Sequence, residues 1–336
     1  MPLALDKLPS PAELTGVNAD NFKQRVMDPY QPAVLRGFAR HWPLVQAARQ
    51  SDQAAARLLQ QHTADQPQAL LSLPASAQGR LFYNASLSGM NYSAQRLGMR
   101  EAINQMLSQR ADGERYCVQC VPVQQHFPGL VLDNPLLPAD TKAFIWLGNA
   151  VTVPAHFDEA HNIAVVVAGK RRFTLFPPEQ VANLYIGPLD FTPAGQPVSL
   201  VNMAQPDLTA HPKYAQAYAA ALSVELEPGD AIYIPTPWWH HVQSLSGFNA
   251  LINYWWSDTY VAGALPLPML LHGLLSLKHM PQAQQQAWQQ LLRHYLLAEN
   301  GDPGAHLPAS AKGILGEMTP QLAQGINRWL AAQLKQ

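Results

Sequence analysis

Apolar and polar positions repeat with two different periods along this chain, and the change of period divides it into three parts. Residues 1 to 115 carry mainly the 3.6-residue repeat of helices. Examples are "SDQAAARLLQQH" behind Trp42-Pro43, and "SAQRLGMREAINQMLSQ", where Ser93 stands in position to cap a helix. Between them and the N-terminus, "QPAVLRGFARHWP" predicts a strand followed by a turn. From Tyr116 to Trp256 the repeat shortens to two residues. "YCVQCVPV", "AFIWLGN", "IAVVVAG", "RRFTLFPP", "SVELEPGDAIYIP", "HHVQSL" and "NALINYWW" are short and punctuated by Gly and Pro. Beyond Ser257 the helical period returns. "MPQAQQQAWQQLLRHYLLAEN" and "TPQLAQGINRWLAAQLKQ" read as two amphipathic helices, the second with Pro320 in its first turn.

This order predicts a mainly β fold with helical flanks. A helical part at 1–115 packs on a β core at 116–258, and a helical segment follows at 259–336. Short antiparallel strands between helices suit a barrel or sandwich, whose mouth is the usual place for a small-molecule site. Within the core, "IAVVVAG" and "RRFTLFPP" read as a buried hairpin turning at Gly169.

Composition narrows the possibilities. Apolar residues make up 48% of the 336 and charged residues only 13%, and the formal net charge is −1 with no Lys/Arg block. That balance argues against nucleic acid and against an anionic membrane surface as partners. "MPLALDKLPSPAEL" lacks the basic and apolar regions of a signal peptide. "TYVAGALPLPMLLHGLLSL", Thr259 to Leu277, holds no charged residue besides His272, but Pro266 and Pro268 interrupt it. It predicts a loop leading into a buried helix, and the expectation is a soluble, cytoplasmic protein. Both cysteines sit in "YCVQC". On a strand, residues three apart face opposite ways, so Cys117 and Cys120 read as reduced thiols rather than as a redox pair or half a zinc site.

Candidate chemistry lies in two stretches. In "VPAHFDEAHN", His156 and Asp158 stand two apart, which on a strand puts an imidazole and a carboxylate on one face. By itself the pair is weak, since 12 His and 14 Asp in 336 residues give about half a chance match. "VELEPGDAIYIPTPWWHHVQSL" adds two imidazoles, His240 and His241, behind two tryptophans. In extended backbone only one of them can face the interior. Two histidines and one carboxylate occupy one face of an octahedral metal and leave positions open, as suits Fe(II) and oxygen.

The two stretches together, with "NYW" and the early "PAVLRGFARHWP", resemble the cupin-like, JmjC-type 2-oxoglutarate oxygenases, and most of all the asparaginyl hydroxylase branch acting on hypoxia-inducible factor. The resemblance runs from about residue 30 to 258 and is densest from 115 to 256. It implies a double-stranded β-helix (the cupin or jelly-roll barrel) with N- and C-terminal helices. It also implies Fe(II), with 2-oxoglutarate as cosubstrate and O2 as oxidant. His156, Asp158 and His240 match the family's iron ligands, and His241 does not. Arg171 stands where a basic residue receives the distal carboxylate of 2-oxoglutarate. Asn162 and Asn253 match polar positions of the cosubstrate pocket, and Gln119 and Trp255 match positions on the substrate side. The chain departs from the pattern at three places: Arg171 replaces a Lys, Val153 replaces a Thr, and Cys117 stands in for a Tyr. An Arg fork makes two charge-assisted bonds where Lys makes a point contact.

Three functions remain open on the sequence. One is a hydroxylase releasing succinate and CO2 and acting on a protein side chain or small molecule. The second is a metal cupin of another class, such as a zinc hydrolase or isomerase. The third is a non-catalytic binding module. The apolar faces of the C-terminal helices, with Trp288, Leu291 and Leu292 on one and Leu322, Ile326 and Trp329 on the other, are free to pack on the barrel or to form a homodimer.

Overall fold

A computed structural model of the chain describes residues 3–108, 113–258 and 265–334. Among them are thirteen strands: β1 Ala12–Glu13, β2 Ala33–Leu35, β3 Gln68–Leu73, β4 Ser93–Leu97, β5 Arg115–Pro122, β6 Ala143–Gly148, β7 Thr152–His156, β8 His161–Ala168, β9 Arg171–Phe176, β10 Leu222–Leu226, β11 Ala231–Ile234, β12 Trp239–Ser244 and β13 Asn249–Trp256. They form a major sheet in the order β1-β2-β11-β8-β13-β6-β5-β3-β4 and a minor sheet in the order β10-β9-β12-β7. Every pairing is antiparallel except β1 with β2.

Alternation along each strand explains how the sheets pack. On β8, Ala164 and Val166 point to one face, where they join Phe173 and Leu175 of β9, Val224 of β10, Val242 of β12 and Leu251 of β13 in an apolar core. That core draws on both sheets, as the inside of a jelly-roll barrel does. Ile163, Val165 and Val167 point the other way, into a second core with Trp42, Leu44, Leu59, Ile103 and Phe127. β8 is therefore buried along its whole length and reads as a continuous apolar run. The outer face of the minor sheet is covered by the 177–221 segment, through Leu184, Val201, Tyr214 and Ala217 against Phe176 and Trp239.

Three expectations need correction. β8 and β9 are not a hairpin: β8 pairs with β11 and β13, and β9 with β10 and β12, so the turn carries the chain from one sheet to the other. Gly169 has φ +69°, and a Cβ there would lie 2.4 Å from the Asn249 side chain and 2.5 Å from the Phe248 carbonyl oxygen. Second, the first 115 residues are less helical than their pattern. Ser93–Leu97 is an edge strand paired with β3, and the helix begins only at Met99. Helix Asp52–His62 does form, with the Ser51 hydroxyl accepting from the Ala54 N–H. Third, helix Pro266–Leu277 contains no buried residue, although its composition predicted a buried one. The loop expected ahead of it, 259–264, lies outside the described residues.

The chain divides into two compact units, 1–256 and 257–336. The first holds both sheets. The second has helices Pro266–Leu277, Gln282–Tyr295 and Pro320–Gln333, and Thr319 caps the last by accepting from the Leu322 N–H. No described helix is long and apolar enough to cross a membrane.

Candidate metal and cosubstrate site

His156 is the last residue of β7, and His240 pairs with it across the minor sheet. Their ring centroids are 4.2 Å apart. Asp158 lies in the loop just past β7. One ligand atom from each of these three residues falls within 4.8 Å of the others, the only such group of His, Cys, Asp and Glu among the described residues.

Backbone acceptors fix the state of both imidazoles. His156 Nδ1 donates to the Pro154 carbonyl at 2.9 Å, and His240 Nδ1 donates to the Trp238 carbonyl at 3.1 Å. A carbonyl oxygen only accepts, so each Nδ1 carries a proton and Nε2 is the nitrogen left to face a metal. Desolvation and the neighbouring His240 push His156 down to about 4, which keeps it a neutral ligand.

The Asp158 carboxylate is held from two sides. Asn162 Nδ2 and Trp255 Nε1 each donate to Oδ2 at 2.9 Å, and the same oxygen lies 3.6 Å from His240 Nε2. Asn253 Nδ2 donates to Asn162 Oδ1 at 2.7 Å. The chain of amides has one possible direction. A carboxylate must accept, so Asn162 turns its NH2 to Asp158 and its oxygen to Asn253. The Thr236 hydroxyl donates to the Asp158 backbone carbonyl at 2.7 Å. Thus Asn162 and Trp255, expected along the pocket and substrate sides, meet at the Asp158 carboxylate, and Asn253 holds Asn162 from behind.

Arg171 opens β9 at the other end of the interior. It shares a face with Phe173 and Leu175 and is buried. Its side chain has no hydrogen bond or ion pair with any described residue, and Nε is buried with no partner. Burial lowers its pKa to about 10, which still leaves the guanidinium charged at neutral pH. The Cys117 thiol interacts with it and is pushed up to about 12 by burial, so it stays protonated. Val153 packs partly buried between the apolar clusters on either side of this region. Cys117, buried in an apolar cluster, is thus a neutral neighbour of the Arg171 cation.

His241 faces the other side of the minor sheet, beside Thr174, and its Nδ1 is buried without a partner. Burial, and after it Arg80, push it down to about 3.

Gln119 is half-buried, with its amide nitrogen buried and unpartnered. Next to it the register between β5 and β6 slips, and Cys120 takes φ +48°. Both cysteines are free; Cys117 is buried and Cys120 exposed. The Asp158 charge helps, after burial, to raise Cys120 to about 11, which sets this thiol at the rim of the site. Sequence reasoning missed Cys120 and Thr236. The Pro that follows Thr236 was a signal for a sharp corner there, whereas the bulge at Cys120 has no glycine to mark it.

The defining pattern of the cupin-like domain matches residues 19–262. The chain belongs to the cupin-like, JmjC-type family. Its curated relatives include the lysine-specific demethylase JMJ31 of Arabidopsis thaliana, 29% identical over 118 residues, or 35% of this chain and 21% of that protein. Human HSPB1-associated protein 1 is 33% identical over 113 residues, or 33% of this chain and 22% of that protein. The tRNA wybutosine-synthesizing protein 5 of Mus musculus is 30% identical over 142 residues, or 38% of this chain and 42% of that protein. The chain thus spans less than half the length of each of these relatives.

Proposed function

We propose that this cupin-like chain is an Fe(II)- and 2-oxoglutarate-dependent oxygenase that hydroxylates a C–H bond of a protein side chain or small molecule. Two imidazole nitrogens and a carboxylate are a donor set that fits Fe(II). When bound, the iron with its oxoacid supplies the oxidation of the C–H bond by O2, releasing succinate and CO2.

The protein's own residues divide the remaining work. His156, Asp158 and His240 hold the metal, while Asn162 and Trp255 orient Asp158 through one oxygen. Arg171 receives the distal carboxylate of the cosubstrate. The apolar surroundings of Val153 and Cys117 exclude water from that contact and strengthen it. Gln119 and Cys120 line the approach for the substrate.

The observation that carries this reading is the pairing of a candidate metal triad with a buried arginine that has no anionic partner among the described residues. A buried charge needs a counter-charge. On β9, Leu175 stands opposite His240 and Arg171 opposite Ser244, four residues further along. That is about 13 Å of strand, which an extended arginine and a five-carbon dicarboxylate can divide between them. A zinc hydrolase or isomerase has no need of such a cation, and a binding module has no need of an intact triad. The near-zero net charge favours a protein or small molecule over RNA as substrate.

The test is turnover of 2-oxoglutarate by the Fe(II)-loaded protein in native cell extract, read by mass spectrometry as succinate together with a product heavier by one oxygen atom. Succinate formation that ceases in His240→Ala supports the reading. No succinate above the metal-free control in any extract argues against it.

A further inference from the structure

One buried donor in the barrel belongs to no bond of the chain. Trp146 Nε1, on β6, is buried and has no hydrogen-bond partner among the described residues. An indole N–H only donates, and buried ones usually find an acceptor. An orphaned one calls for an occupant that brings an oxygen with it.

Strand register places this N–H between the two ends of the interior. Ala143, Ile145 and Leu147 face the outer core, so Phe144, Trp146 and Gly148 share the inner face of β6. Phe144 stands opposite Asn253 and against the ring of Trp255, which bonds Asp158 at the metal end. Gly148 stands opposite Cys117, the thiol that neighbours Arg171. Trp146 lies two residues from each, or about 7 Å of strand. Across from it β5 bulges: Val118 pairs with Leu147 and Val121 with Ile145, so Gln119 and Cys120 together oppose Trp146. Bulges of this kind re-aim side chains and gather beside active sites.

Water alone is a poor occupant. The indole packs against an apolar core that includes Val166, Phe173, Leu175 and Leu251, and an ordered water needs roughly two to four polar partners. The orphaned nitrogens nearest in register, Gln119 Nε2 and Arg171 Nε, are donors as well. The orphaned acceptor Asn253 Oδ1 sits one level away, opposite Phe144. Donors of this kind around one cation suit a group that only accepts, which is a carboxylate.

We propose that Trp146 is a further cosubstrate-binding residue, its indole N–H donating to a carboxylate oxygen of the oxoacid that runs between the metal triad and Arg171. The inference rests on the oxygenase reading and adds to it a neutral donor, which the Val153 side chain cannot supply. Arg171 gives the pocket its charge, and Trp146 fixes the acid part-way along its length.

The test is anaerobic calorimetry of 2-oxoglutarate with the Fe(II)-loaded full-length chain and with its Trp146→Phe variant, which keeps an aromatic ring and loses the N–H. A hydrogen bond to a charged group predicts an affinity lower by roughly 10–100-fold, with Fe(II) affinity unchanged. A second readout uses the unmodified protein, labelled at its eight tryptophans and holding diamagnetic Zn(II) in place of iron. The indole proton signal of Trp146, assigned by its loss in the variant, should move downfield as 2-oxoglutarate binds. That of Trp42, whose Nε1 donates to the Asp133 carbonyl in the outer core, should stay. No binding to the Fe(II)-loaded wild type overturns the oxygenase reading and this inference with it. Equal affinity in wild type and Trp146→Phe overturns this inference alone, as does a Trp146 signal that stays put in the saturated protein. So does an Fe(II) affinity that falls in step with that for 2-oxoglutarate, because it assigns Trp146 to packing.

Discussion

The two ends of the barrel interior satisfy their polar groups in opposite ways. Around His156 the ligands are already aimed by the chain itself: both Nδ1 atoms sit on backbone carbonyls, and Asp158 takes two N–H donors on one oxygen. Around Arg171 a full positive charge lies buried beside Cys117 on the β9 face, with no ion-pair partner among the described residues. One end is organised before any ligand arrives, and the other is complete only with one. An organised donor set would let a metal bind with little rearrangement. A desolvated cation with no partner among the described residues is a place where a carboxylate would bind strongly.

Removing a ligand is the harshest way to break the contrast. Asp158→Ala and His156→Ala should each abolish Fe(II) binding, a loss beyond the roughly 10–100-fold that outlying partners carry. His241→Ala should keep most of it, because that side chain faces the other side of the sheet. Anaerobic metal titration checks all three. If His241→Ala is the more damaging of the adjacent pair, the inward phase of β12 is misassigned.

At the other end, Arg171→Ala should weaken 2-oxoglutarate by about 3–5 kcal/mol, the usual effect of leaving one partner of a buried charged pair alone, or roughly two to four decades. Fe(II) binding should not change. Arg171→Lys should restore part of the loss, since a point charge replaces a fork.

Smaller effects should follow at the support around Asp158. Trp255→Phe keeps the ring against Phe144 but loses the bond to Asp158, and Asn253→Ala frees the Asn162 amide to rotate. Each should cost roughly 10–100-fold in metal affinity, with 2-oxoglutarate binding to the metal-saturated protein nearly unchanged. Equal losses of both ligands would mean that the two ends are not separate.

The smallest effect concerns acid. Folding holds His156 and His241 near 4 and 3, while in the unfolded chain they titrate near the ordinary histidine value. Between about pH 6.5 and 4 the unfolded state therefore binds more protons, and stability rises with pH. The metal-free protein should lose stability as pH falls through that window, and His241→Asn should lose less. Urea midpoints at several pH values measure it, and a flat profile would show that these imidazoles are not held neutral.

Much of this was legible in the sequence, and the parts that were not share a cause. The strands with one face in the barrel alternate visibly, as in Arg171, Phe173 and Leu175, because burial on one side imposes a period of two. β4 was read as helix because all but one of its residues are exposed, and only pairing with β3 makes it a strand. The apparent β8–β9 hairpin misled because a tight turn between sheets looks, in one dimension, like a tight turn within one. His156 and Asp158 stood out by spacing, and His240 by its setting behind two tryptophans. The bonds from Trp255, ninety-seven residues from Asp158, exist only once β13 is placed beside β8.

The central claim, that a preorganised metal site and an arginine awaiting an anion serve one reaction, meets its most direct test in anaerobic calorimetry. 2-Oxoglutarate is titrated into the Fe(II)-loaded protein, the metal-free protein and the Fe(II)-loaded Arg171→Ala variant. The account predicts tight one-to-one binding only to the first, with two to four decades lost in the variant, roughly the span of a broken buried ion pair. Binding that is absent from the loaded wild type, or unchanged by Arg171→Ala, would contradict it.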